Sequence, residues 1–370
     1  MATMLDERAE PLDGRTIVLD CRWLGIGGAG RVTELLLAGL RAAPPSGTWL
    51  LWGDPGRIEQ AVGPGHPVAT GAHLFPGARI VPWRGDPTRL LGQRDLLRVP
   101  RGDVVVYLHQ VRPLRPGPSV TVIHDTIPLR YGGSRPVRAL KGLFLRVAAR
   151  LSDRLVTVSE AAREAIVRDL GVRPSRVTVT TLGVDPGRIE RIRSLRAASP
   201  HTDFVLFVGR FAPHKNLRRL CRAFATTGLA ADGGRLLLTG GTPEEVVELA
   251  AWARDEGLAC VDVRAACPEA ELDRLLASCR ALVQPSLEEG YGLPAVEAAA
   301  VGVQVAASPT GAASTIPSDR LTLMDPRDET SIATAIDAAA TRRDPTADWT
   351  PVPTVSSDVS GAVAAVVGRA

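Results

Sequence analysis

The sequence has no apolar run of membrane-spanning length, no C-x-x-C pair, no low-complexity tract and no short-period repeat. The first absence argues against a spanning helix, and the acidic start MATMLDERAEPLDG does not read as a signal peptide. The five cysteines (Cys21, Cys221, Cys260, Cys267 and Cys279) are odd in number and irregularly spaced. That pattern indicates neither a zinc site nor a disulfide framework, and it fits a reducing cytoplasm. A large net charge is also missing. Forty-four basic residues against 40 acidic ones leave +4, too little over this length to indicate a nucleic-acid partner.

What is present is a long, globular composition. At 370 residues the chain exceeds one ordinary core, so two domains are expected. Hydrophobic content of 45% and charged content of 23% are those of a soluble protein. Residues 1–15 read as a loose tail. Thr16 to Arg22 (TIVLDCR) reads as a buried strand, Gly25 to Gly30 as a literal G-x-G-x-x-G turn, and Val32 to Ala42 as a helix. The next strand, Trp49 to Trp52, ends near Asp54, where a dinucleotide-binding acid would stand. An NAD-dependent oxidoreductase is therefore one reading, although Gly-rich strand–helix turns also hold sugar-nucleotide phosphates.

Strands at Val104 to Leu108 and Val120 to Ile123 end at His109 and at His124-Asp125. Ligands of open parallel sheets gather beyond the carboxyl ends of strands, so both histidines stand in functional places. In the segment Arg135 to Arg154, Leu140, Leu143, Phe144, Val147 and Leu151 recur at helical spacing, with Arg138, Lys141, Arg146 and Arg150 opposite. A core-packed helix with a solvated basic face is the expectation, against a membrane-surface or anionic-acceptor helix. Residues 186 to 201 are polar and Arg-rich and read as holding the inter-domain linker.

A second strand–helix series begins at Phe204. Its first strand ends in Gly209-Arg210, and Lys215-Asn216 precede a helix. Two cations five apart at such a turn suit a diphosphate, Arg gripping two oxygens and Lys acting as a point charge. Farther on, QPSLEEGYGLPAVEAAAVG (Gln284 to Gly302) holds a turn at Glu289-Gly290-Tyr291-Gly292, then Leu293-Pro294, then an Ala-rich helix. Pro294 suits a helix start, the two glycines allow close backbone approach, and the first free N–H groups suit an anion.

This last stretch, with Glu289 and Glu297 separated by seven residues, resembles the E-x7-E signature of the family 4 retaining glycosyltransferases. VGRFAPHKNLRRLCRAF and the run from His124-Asp125 to LVTVSEAAREAIVRDLGVRPSRVTVTTLGVD are similar to the same family. The resemblance covers most of residues 16 to 345. It implies an α/β, GT-B protein: two Rossmann-like parallel-sheet domains facing a cleft. The expected division is an acceptor domain over residues 16–190, a nucleotide-sugar domain over 200–345, and a segment over 346–370 that packs back on the first domain.

The resemblance also implies the roles. Glu289 lies against the donor sugar and Glu297 holds the ribose. Arg210 and Lys215 neutralise the diphosphate, and His124 lines the reacting face. Gly27, Gly28, His109, Asp125, Gly209, Gly290, Tyr291, Gly292 and Leu293 complete the binding surface, with backbone around Cys267 at the base. The residue 55–100 region would help hold the acceptor. The sequence departs from relatives at Leu182, where Asn is common, at Gln304, where Pro is common, and near Ser314 or Thr315, where a Glu is missing. No D-x-D triplet is present, so no metal is expected.

The implied activity is a retaining hexosyltransferase of the cytoplasm. It would use GDP-mannose ahead of a UDP-hexose as co-substrate, with no other cofactor, on an unidentified hydroxyl acceptor. Contact with the inner face of the membrane and oligomeric state stay open. The alternatives are the oxidoreductase built on GIGGAG and a non-catalytic nucleotide-sugar binder.

Overall fold

The computed structural model describes residues 14–42, 47–62, 78–83, 85, 99–113, 115–198, 202–342, 349–351 and 353–367. Most of the expected tail and most of the 55–100 acceptor region lie outside them. The chain divides into two compact units. One holds Met1–Gly183 with Val352–Ala370, and the other holds Val184–Pro351.

The first unit runs β1 (Thr16–Asp20), α1 (Gly27–Ala42), β2 (Thr48–Gly53), α2 (Pro55–Val62), β3 (Arg79–Pro82), β4 (Val104–Tyr107), β5 (Ser119–Val122), α3 (Pro128–Tyr131), α4 (Arg135–Leu151), β6 (Arg154–Thr157), α5 (Glu160–Leu170) and β7 (Val177–Val179). Its sheet has the order β3-β2-β1-β4-β5-β6-β7, and every pairing is parallel. Strands β1, β4 and β5 are buried almost throughout, as in a sheet covered on both faces. Ser159 caps α5 by accepting from the Ala162 N–H, and Gly171 ends it in the left-handed region.

The second unit runs α6 (Pro186–Ala198), β8 (Phe204–Val208), α7 (Leu217–Ala225), α8 (Gly228–Ala231), β9 (Arg235–Gly241), α9 (Pro243–Asp255), β10 (Val261–Ala265), α10 (Glu269–Ser278), β11 (Ala281–Gln284), α11 (Leu293–Ala300), β12 (Gln304–Ala307), β13 (Leu321–Leu323) and α12 (Glu329–Thr341). Its parallel sheet has the order β10-β9-β8-β11-β12-β13. One face of it carries a core of Phe207, Leu236, Leu238 and Val283 from the strands, with Leu220 and Phe224 of α7 and Ile332 and Ile336 of α12 packed on them. Both sheets are doubly wound. In each, the order reverses between two central strands, β1 and β4 or β8 and β11, and the loops beyond those strands open a crevice.

A final helix, α13 (Val355–Val367), returns to the first unit and packs on α1 and on β4 to β7. The approach is close because position 39 is glycine. A Cβ there would lie 2.5 Å from Val355 Cβ.

Three sequence expectations are corrected here. Helix α1 starts at Gly27, so Gly27 and Gly28 belong to its first turn and not to a loop before it. Residues 186–198 are not a linker but α6, a helix of the second unit with Arg188 and Arg196 buried. In α4 the core-facing residues are Gly142, Leu145, Ala148 and Ala149, whereas Leu140 and Leu143 are 47% and 57% exposed. The helical period was right, but small residues take the core face because α4 lies close against its neighbours.

Candidate active site

In the second unit the site grows from the loops after β8 and β11. Strand β8 ends at Gly209, whose N–H donates to the Thr239 carbonyl at 3.0 Å. Gly240 has φ +119°, and a Cβ on it would come within 2.4 Å of the Gly209 carbonyl oxygen, so only glycine fits there. The chain then makes a tight turn over Pro213–Lys215, and Asn216 takes a left-handed conformation (φ +62°). Its amide donates to the carbonyls of Pro285 (3.2 Å) and Pro326 (2.6 Å), while the Leu287 N–H donates to the His214 carbonyl (2.8 Å). These bonds fasten the cationic turn to the loop that carries Glu289.

Glu289 is largely buried, its side chain 9% exposed, and one of its carboxylate oxygens gathers three donors. Lys215 Nζ and Gln284 Nε2 each lie 2.5 Å from Oε1, and Ser286 Oγ lies 2.7 Å from it. Burial pushes the Glu289 carboxyl up. The Lys215 ammonium and the three hydrogen bonds outweigh that and hold it below the usual glutamate value. Lys215 is thus already paired, unlike a free phosphate clamp. Arg210 is exposed, and among the described residues no carboxylate pairs with it.

Gly292 caps α11 in the left-handed region, with Leu293 and Pro294 in the first turn. One turn on, Glu297 is held from behind. Its Oε2 lies 2.5 Å from Arg188 Nη1. Arg188, 1% exposed, reaches Asp273 at 2.7 Å and Glu269 at 3.2 Å through Nε. Burial alone would lower the Arg188 pKa, but Glu297 and Asp273 raise it. Cys267 lies in the loop after β10, where the Thr239 hydroxyl faces its sulfur at 3.9 Å.

In the first unit, His109 and His124 stand beyond β4 and β5 with ring centroids 5.2 Å apart. Trp23, on the turn before the Gly-rich segment, stacks on His109 at 3.7 Å. The Val111 N–H donates to His109 Nδ1 (3.0 Å), which fixes a neutral imidazole with its proton on Nε2. Gln110 Oε1 accepts from the His124 backbone N–H (2.8 Å), and Asp125 Oδ1 accepts from the Ile127 N–H (3.0 Å). Asp54, the acid required by an NAD reading, accepts from the Arg57 N–H at 3.0 Å and caps α2.

Three histidines, His109, His124 and the neighbouring His214, resist protonation. Burial first, then His124 and Arg22, drive His109 well below 6.5. Burial, against a weaker pull from the Leu108 carbonyl, brings His124 to about 4. Burial, then Lys215, with Glu289 opposing, brings His214 to about 4. Between pH 6.5 and 4 the unfolded chain therefore binds protons that the folded one refuses, and stability falls as pH drops. For His124 alone the loss at pH 5 is about 2 kcal/mol. Urea unfolding at pH 7 and pH 5 measures it, and equal midpoints would contradict the burial of these rings.

The candidate residues fall into two sets, one in each unit. Gly209, Arg210, Lys215, Cys267, Glu289 to Leu293 and Glu297 border the β8/β11 crevice. Gly27, Gly28, His109, His124 and Asp125 border the β1/β4 crevice and the strand beside it. Sequence reading missed Trp23, Gln110, Arg188, Gln284 and Ser286. The QPS preceding Glu289 was the visible signal for two of them.

Residues 26–188 match the family model Glycosyltransferase Family 4, and residues 189–351 match glycosyl transferases group 1. The chain belongs to the family 4 glycosyltransferases. Among curated relatives of this family 4 chain, the MMP alpha-(1->4)-mannosyltransferase of Mycolicibacterium hassiacum is 32% identical over 173 residues, 45% of this chain and 39% of the relative. The D-inositol 3-phosphate glycosyltransferase of Rhodococcus opacus is 32% identical over 197 residues, 48% of this chain and 43% of the relative. The chain therefore spans less than half the length of these two relatives. The O-antigen chain mannosyltransferase RfbU of Salmonella typhimurium is 24% identical, with 66% and 67% covered.

Two solved structures share the fold. Sucrose-phosphate synthase from Thermosynechococcus elongatus has a TM-score of 0.62 at 17% identity, covering 96% of this chain and 94% of that one. Anabaena HepE in complex with UDP-glucose has a TM-score of 0.61 at 17% identity, with 96% and 95% covered. Nothing among the comparisons supports an oxidoreductase. Among the described residues no helix is long and apolar enough to cross a membrane.

Proposed function

We propose that the chain transfers a hexose from a nucleotide-diphosphate sugar to a hydroxyl acceptor, with retention of configuration and without a metal ion. The observation that carries this reading is the Glu289 cluster. Three donors converge on Oε1, which holds the carboxylate ionised and aims Oε2 as an acceptor for sugar hydroxyls. Lys215 has three N–H donors and uses one here, so its ammonium serves a phosphate oxygen as well. With exposed Arg210 beside it, the turn would stabilise charge growing on the leaving diphosphate, an electrostatic contribution usually large in catalysis.

Glu297, braced by Arg188, would accept from the ribose hydroxyls. Neutral His124 stands beyond the carboxyl end of β5, which suits it to meet the donor sugar. Gly27 and Gly28, at the N-terminus of α1, would approach the phosphates. His109, Asp125, Gly290, Tyr291, Gly292 and Leu293 would shape the sugar and phosphate contacts, and backbone near Cys267 the base. No covalent nucleophile is assigned. The mannosyltransferase relatives support GDP-mannose as donor ahead of a UDP-hexose. A cytoplasmic location follows from the nucleotide-sugar supply this reading requires.

The test is calorimetry with GDP, UDP, ADP, dTDP and NAD in metal-free buffer. One nucleoside diphosphate should bind, with binding lost in Arg210→Ala and in Glu297→Ala. NAD binding alone would overturn the reading. Glu289→Gln should keep nucleotide affinity within a few-fold and lower turnover by about a hundredfold or more, the scale of removing one preorganised polar group. Unchanged turnover in that variant would remove Glu289 from its role.

A further inference from the structure

We propose that α4 is a docking surface for an anionic bilayer. The outward side of this helix carries Pro136, Leu140, Leu143 and Val147, spaced i, i+4, i+7 and i+11, so they form one stripe. Leu140 and Leu143 are among the most exposed large apolar residues of the described chain, and Val137 beside them is also exposed. Single exposed leucines need no explanation, but a stripe on one helix does.

The charge around the stripe selects the occupant. Helix α4 carries Arg135, Arg138, Lys141, Arg146 and Arg150 and no Asp or Glu. Among the described residues no carboxylate pairs with any of the five. Arg138 and Lys141 donate to the backbone carbonyls of Gly133 and Gly132, which anchors the start of the helix. Arg135, Arg146 and Arg150 stay exposed along one flank of the stripe. A second copy of the chain on this face would set five cations against five. An anionic lipid surface takes both features at once, the leucines entering the headgroup–acyl boundary and the arginines meeting lipid phosphates. The proposal concerns a face of the first unit that no step of the proposed transfer uses.

The experiment is co-sedimentation of the full chain with sucrose-loaded vesicles. One set is phosphatidylcholine alone, and the other is two parts phosphatidylcholine to one part phosphatidylglycerol. The chain should partition to the anionic vesicles more strongly, by about fivefold for each engaged cation, and salt should weaken it. The double variant Leu140→Asp/Leu143→Asp should lose at least about tenfold, and Leu140→Ala/Leu143→Ala should fall between. An unchanged thermal midpoint in the alanine pair shows that the fold is intact. Absence of vesicle binding, equal binding to both vesicle sets, or wild-type binding by the Asp pair would each overturn the proposal. So would a concentration-dependent dimer, seen by light scattering, that the Asp pair disperses, because it would assign the stripe to a second copy.

Discussion

Lys215→Met should lower turnover by about a hundred- to a thousandfold, the cost of losing one preorganised charge at a developing anion. It should also destabilise the fold by about 3 kcal/mol or more, because Glu289 would be left buried without its cation. The two effects separate by pH. In the native protein the Glu289 carboxyl is held below its ordinary 4.5, so its pair with Lys215 contributes stability above that value and loses it as pH falls. In the variant, burial dominates and the carboxyl titrates higher than in the unfolded chain. The contribution then reverses sign: it is present in acid and is lost as pH rises from 4.5. Urea midpoints from pH 4 to 8 should therefore give a profile tilted against the native one. A parallel profile would mean that Lys215 does not hold Glu289 ionised. Lys215→Arg should restore the native profile but only part of the turnover, since a planar fork does not replace a point charge.

The second large effect is expected at Arg188, which braces Glu297. Arg188→Met should cost about 3–5 kcal/mol, because it removes the buried cation that Glu297 and Asp273 share, Asp273 keeping Arg191 at 3.0 Å. Nucleoside diphosphate affinity should fall by about ten- to a hundredfold, the value of one charge-assisted hydrogen bond that no longer orients Glu297. The combined Arg188→Met/Glu297→Gln variant should regain part of the stability and none of the affinity. That split distinguishes positioning from packing. If the double variant is simply the sum of the two singles, the residues are not coupled.

Much of this was legible in the sequence because strands of a covered parallel sheet are short continuous apolar runs, and Gly, Pro and charged residues mark their carboxyl ends. VVVY before His109 and FVLFV before Gly209-Arg210 are examples. The Ser159 cap was equally plain. What stayed hidden depends on partners distant in sequence. Arg188 meets Asp273 across 85 positions, so a local reading saw only an Arg-rich stretch and took it for a linker. Helix α4 misled differently. Periodicity finds a stripe but does not say which way it faces, and here Gly142, Ala148 and Ala149 face inward. In the Gly-rich segment, no composition rule distinguishes a glycine in a turn from one in the first turn of a helix.

The return of α13 has a consequence for biosynthesis. A nascent chain carried to Pro351 contains every strand of both sheets and all of the second unit, yet the first unit lacks the helix that covers β4 to β7. The half made first is thus finished last. Until Val355–Val367 leaves the ribosome, the strands it packs on lack that cover, so completion of the first unit follows synthesis of the second.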